Sequence, residues 1–139
     1  MKGPRRQGRE AALGILYFWE VGRAEPDEAI AEYFDLHAPE ATEEVRAFAA
    51  ALVRGTVTDV ETIDALIAQH ATNWRMDRLA VIDRLILRMA VWELTRQADT
   101  PPPVVLNEAI ELAKTFGTDD SVRFVNGVLD GVRKTLAEA

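Results

Sequence analysis

Apolar residues recur every three or four positions through most of this 139-residue chain, and no segment sustains the alternation of a half-buried strand. That period predicts helices joined by short loops. Ala12, Ile15, Leu16 and Trp19 mark the buried stripe of a first helix from about Arg5 to Val21, with Gly22 near its end. A short second helix begins near Pro26, a residue suited to a first turn, where Asp27 and Glu28 complement the positive helix end. It buries Ile30, Tyr33 and Phe34 and stops before Pro39. After Thr42, a suitable N-cap, the series Val45, Phe48, Ala49, Leu52, Val53, Val57, Val60, Ile63 and Ile67 predicts one long helix to about His70. A segment with Trp74, Met76 and Leu79 then leads into a strongly apolar helix through Val81, Ile82, Leu85, Ile86, Met89, Ala90, Trp92 and Leu94, expected at the centre of the core. Pro101, Pro102 and Pro103 predict a stiff, extended break. Two helices finish the chain. One runs from about Val104 to Phe116 and is closed by Gly117; the other starts at Thr118-Asp119-Asp120-Ser121 and carries Phe124, Val125, Val128, Leu129 and Val132. The class is all-α, and the length suits a single domain over residues 1–139.

Composition adds little to this picture, because 48% apolar and 28% charged residues are ordinary for a globular domain. No run reaches the roughly 18 apolar residues of a membrane helix, and Glu20 and Arg23 interrupt the stretch behind the basic start, so a cytoplasmic location without membrane contact is expected. Charge changes the picture more. The chain has 16 basic and 23 acidic residues, a net −7, yet residues 1–9 hold Lys2, Arg5, Arg6 and Arg9 and no acid. The other 130 residues therefore carry 12 basic and 23 acidic side chains, a net −11. A basic N-terminal arm on an acidic body restricts phosphate binding to the arm or to a partner's help, with a merely solvated tail as the other reading. Arg6, Leu13 and Tyr17 are spaced seven and eleven residues from the first to the others, so they fall within roughly 20° of one line on the first helix. An arginine and an aromatic thus share a face.

Chemistry-bearing patterns are sparse. Glu108 and Glu111 sit three apart on one helix, a spacing that equally describes a solvated face. With no cysteine and only His37 and His70, no thiolate site, Glu-x-x-His pair or His-Glu-x-x-His motif can be written. There is no phosphate-binding Gly-x-x-x-x-Gly-Lys loop and no Gly-x-Ser-x-Gly elbow. No catalysis, metal or cofactor is expected.

Three segments resemble the NusB family and together reach from the basic arm to the last helix. The longest is Val105-Leu106-Asn107-Glu108-Ala109-Ile110-Glu111-Leu112-Ala113-Lys114, followed by Phe116-Gly117 and by Ser121 to Asp130, which reads Ser-Val-Arg-Phe-Val-Asn-Gly-Val-Leu-Asp. The second is Val81-Ile82-Asp83-Arg84-Leu85-Ile86-Leu87-Arg88-Met89-Ala90 with Glu93-Leu94. The third is Arg5-Arg6 and Arg9-Glu10-Ala11-Ala12 leading to Leu16-Tyr17. Gly8 dilutes the basic run, Trp92 stands where the family often has tyrosine, and residues 23–44 match little.

The resemblance implies about seven helices in two small packed bundles. It also implies transcription antitermination: binding of boxA RNA from ribosomal RNA operons together with NusE, a ribosomal protein, and delivery of that complex to elongating RNA polymerase. By this likeness the arm and first helix contact RNA, while the central helix and neighbouring C-terminal segments hold NusE.

On this reading Lys2, Arg5, Arg6 and Arg9 neutralise phosphates, and four contacts to single-stranded RNA give a slope of log affinity against log salt of about −3. Tyr17 is a stacking platform for an unpaired base, or else a half-buried structural tyrosine. Asp120 and Phe124 resemble RNA-facing family positions, with an N-cap and a core aromatic as the simpler readings. Asp83 and Glu93 are the candidates for NusE contact, since an acidic body attracts a basic partner. Two other classes remain open. One is a self-associating helical protein whose arm is buried in a homodimer. The other is the similar RNA-targeting domain that precedes some ribosomal RNA methyltransferases, against which 139 residues leave no room for the enzyme.

Overall fold

The computed structural model describes residues 2–71 and 78–138, so Trp74 and Met76 lie outside the described residues. Seven α-helices follow one another among the described residues: α1 Pro4–Gly22, α2 Pro26–His37, α3 Glu43–Thr58, α4 Val60–His70, α5 Val81–Arg96, α6 Pro102–Phe116 and α7 Asp119–Glu138. They form two compact units, Met1–Thr58 and Asp59–Ala139.

In the first unit α1 packs on α2 and α3, and α2 on α3. Its core is built from Ala12, Ile15 and Leu16 of α1, Phe34 of α2 and Ala49, Leu52 and Val53 of α3, all fully or almost fully buried. Each large side chain of this kind contributes roughly 1.5–3 kcal/mol relative to exposure. Helix starts are set by local chemistry. The Glu25 carboxylate accepts from the amides of Asp27 and Glu28 at 3.1 and 3.2 Å, and Thr42 Oγ1 accepts from the Val45 amide at 3.3 Å. These bonds satisfy donors that the first helical turn otherwise leaves open.

The second unit is arranged about α5, which packs against α4, α6 and α7. Leu85, Ile86, Leu87, Met89 and Val91 are buried, as the apolar run predicts for a central helix, and they meet Ile63 and Ile67 of α4 and Val125, Leu129 and Val132 of α7 in one core. Arg88, only 7% exposed, is held by Asp64 of α4 through paired bonds of 2.9 Å each. Arg96 reaches back to Asp59 at 3.1 Å.

Three sequence expectations need correction. The long third helix is two helices, broken at Asp59, although Val57 and Val60 keep the apolar series in phase across the break. The three prolines do not exclude helix. Pro101 is an extended N-cap, and Pro102 and Pro103 occupy the first turn of α6, where the missing amide protons have no intrahelical acceptor to lose. Trp19 is half-buried, and Leu13 joins the buried stripe of α1 instead.

Candidate nucleic-acid interface

The basic arm is helical from its fourth residue. Pro4 opens α1 behind an extended Gly3, so Arg5, Arg6 and Arg9 are fixed on the first two turns of a rigid element rather than strung along a tail. No acid occupies that first turn, and the positive end of the helix dipole therefore adds to the side-chain charge.

The four cations separate into two groups. Lys2, Arg5 and Arg6 are exposed, whereas Arg9 is 4% exposed and packed within the first unit. Lys2 folds back along the helix. Its Nζ donates to both carboxylate oxygens of Glu10 at 2.8 Å, and the Gln7 side-chain amide donates to the Lys2 carbonyl at 2.8 Å. The guanidinium carbons of Arg5 and Arg9 lie 5.3 and 5.2 Å from the ring centroid of Phe48, on α3. Phe48 can come that close because position 8 is glycine. A Cβ there would stand 2.6 Å from the ring's Cδ2.

Tyr17 is 41% exposed, and Phe18 and Val21 beside it are also exposed. Along the line predicted from spacing, Arg6 and Tyr17 face solvent while Leu13, between them, is buried. Glu10 has a second role. It faces Tyr33, whose hydroxyl pKa is raised above the ordinary tyrosine value, first by burial and then by the Glu10 charge.

The second unit gathers three of the remaining predicted residues. Asp83 of α5 and Asp120 and Phe124 of α7 line one recess of about 710 Å³, together with Arg78, Leu79, Ala80 and Arg123. Asp120 is not the N-cap of α7. Thr118 and Ser121 perform that task by reciprocal bonds, the Thr118 amide to Ser121 Oγ at 3.0 Å and the Ser121 amide to Thr118 Oγ1 at 3.3 Å, which leaves Asp120 exposed and paired with Arg123 at 2.6 Å. Phe124 is half-buried rather than a core residue. One oxygen of Asp83, Oδ1, is buried and accepts no hydrogen bond from the described residues. Glu93, at 2% exposed, is packed inside the unit and does not line this recess.

Among the described residues no cluster of three or more His, Cys, Asp or Glu is placed to hold a metal ion, and no helix is long and apolar enough to cross a membrane. Sequence reasoning missed Phe48 as a member of the cationic site, because it reads as one more apolar position of α3. It also missed the reason for Gly8.

A sequence model of the NusB family matches residues 6–134. The transcription antitermination protein NusB of Solibacter usitatus is 45% identical over 134 residues, which are 96% of this chain and 91% of that one. Among solved structures, T. maritima NusB superposes with a TM-score of 0.88 at 36% identity, covering 96% of this chain and 93% of its own. The NusB chain of a crystal structure of antitermination factors NusB and NusE in complex with double-stranded RNA gives 0.88 at 29% identity, covering 97% and 99%. Matched in sequence over nearly its whole length, and in fold at the same extent, the chain belongs to the NusB family.

Proposed function

We propose that this protein is a transcription antitermination factor that binds boxA RNA of ribosomal RNA operons together with NusE and joins the elongating RNA polymerase complex. The observation that carries the reading is the cationic start of α1, where Lys2, Arg5 and Arg6 are exposed around a helix N-terminus that has no acid in its first turn. Helix amides, dipole and arginine forks all favour phosphate there. A related NusB has been crystallised with NusE and RNA, which supports both partners for this chain.

The other residues take parts within this proposal. Tyr17, exposed on α1, offers a ring for stacking of an unpaired base. In the second unit Phe124 offers another, and Asp83, on the wall of the same recess, is the candidate contact for a basic side chain of NusE. Arg9 and Glu93 are buried, so their part is to hold the elements that carry the exposed residues.

Burial of Arg9 revises the expected salt dependence. Three phosphate contacts to a single strand give a slope of about −2 instead of about −3. Fluorescence anisotropy of labelled boxA RNA, titrated with this protein alone and with NusE, tests the reading. The expected result is weak, salt-sensitive binding that NusE tightens. Equal affinity with and without NusE would remove the partner from the proposal, and no binding in either mixture would remove RNA.

A further inference from the structure

We propose that Phe48 of α3 is a positioning residue for RNA binding: seated on Gly8, it holds the Arg5 guanidinium in place on the surface of α1. The inference rests on the RNA reading above and adds to it a residue that carries no charge and lies on a different helix. Arg5 and Arg9 are four apart, so both emerge on one side of α1, and Phe48 meets both guanidinium groups just over 5 Å from its centroid. Gly8, itself buried, lies on the same stretch of helix and gives the ring its seat, since any Cβ would press on Cδ2 at 2.6 Å. Two like charges brought to one ring repel each other, and the negative face of the aromatic quadrupole offsets that repulsion.

The burial pattern assigns the roles. Arg9 is almost fully covered and Phe48 half-buried, while Arg5 is exposed, so the stack runs from the interior to the surface and ends on Arg5. An arginine side chain that is free in the unbound protein loses rotamer freedom when it grips a phosphate. Resting the guanidinium against a ring before RNA arrives removes part of that loss. A cation–π contact uses the face of the group and is compatible with hydrogen bonds from its edge, so the same arginine can stack and bind phosphate.

The test is a double-mutant cycle read by anisotropy on labelled single-stranded boxA RNA, using the full chain with NusE. Phe48→Leu keeps an apolar side chain in the seat and removes the ring. It is expected to weaken binding about fivefold, the factor one such contact is worth, and to make the salt slope shallower by about 0.7, one phosphate contact. In an Arg5→Ala background the same substitution is expected to have no further effect, and Phe48→Tyr is expected to restore binding. Unchanged affinity in Phe48→Leu overturns the proposal, as does an equal loss in the Arg5→Ala background, which is the signature of a general folding defect. Proton NMR of the wild type gives a reading that needs neither RNA nor a variant. Arg5 side-chain protons shifted upfield by the ring support the contact, and unshifted protons overturn it. A wild type that binds no RNA removes the functional reading and this role with it, an outcome distinct from a wild type and a Phe48→Leu variant that bind equally well.

Discussion

The two units dispose of their arginines differently. In the first, Arg5 and Arg9 lie over Phe48 and Arg46 lies over Phe34 at 5.0 Å. In the second, Arg88 pairs with Asp64, Arg96 with Asp59, Arg123 with Asp120 and Arg133 with Asp130. An aromatic ring fixes a guanidinium without cancelling its charge, whereas a carboxylate fixes it and neutralises it. The ring contacts of the first unit take nothing from its positive field, which suits phosphate; in the second unit Arg88 ties α5 to α4, while the Arg123 and Arg133 pairs lie within α7 itself. The division is not absolute, for Arg54 and Asp27 pair in the first unit at 2.9 Å, both well exposed and far from the end of α1.

The largest effect that could break this contrast is in the second unit. Arg88→Ala strands Asp64 beside a core helix and removes a paired contact from an almost buried site, with an expected loss of about 3 kcal/mol. Thermal unfolding would measure it, and a loss below about 1 kcal/mol would place this pair with exposed bridges of little worth. The RNA salt slope should stay near −2 in this variant, since no phosphate contact is touched.

A smaller effect sharpens the contrast within the first unit. Lys2 is paired with Glu10, so Glu10→Gln should free it and tighten RNA about threefold, with the salt slope staying near −2 because Lys2 is already among the three phosphate contacts. Unchanged affinity would mean that the pair with Glu10 does not hold Lys2 back from RNA.

The smallest effect concerns protons. The Tyr33 hydroxyl holds its proton to higher pH in the folded protein, because it is partly buried and faces Glu10. Its contribution to stability is fully present below the ordinary tyrosine pKa near 10 and is lost as pH rises through the folded value. Melting temperatures between about pH 9 and 11 should therefore fall more steeply in the wild type than in Tyr33→Phe. Parallel curves would show that the phenol titrates alike in both states.

Much of the fold could be read from the chain because its stop and start chemistry is local. Pro26, Thr42, Gly117 and the Thr118–Ser121 pair mark ends within a few residues of where the helices begin and finish. The break at Asp59 was not legible. No glycine or proline interrupts Val57-Thr58-Asp59-Val60, and the backbone at Asp59, with φ −98° and ψ 13°, departs only modestly from a helix. What ends α3 is the passage of the chain from one core to another, and periodicity carries no record of which core a residue joins.

The site was legible in part for the same reason. Clustered charge and the face shared by Arg6 and Tyr17 are local properties of one helix, so they appear in the sequence. The ring beneath Arg5 lies 43 positions further along the chain, and nothing near Arg5 announces it. The burial of Arg9 was hidden likewise, since a charged residue reads as exposed until its cover is known.

Gly8 has a consequence for anyone who would turn this protein into a stronger nucleic-acid reagent. The obvious modification is to fill the gap in the basic run with lysine or arginine, raising the number of charges. Any side chain there would displace the Phe48 ring from its seat. The added charge would arrive on a long flexible stem, while Arg5 lost its support, so the reagent would trade order for charge. Its attraction to any polyanion would grow and its preference for one RNA geometry would fall, leaving a stickier molecule that discriminates less.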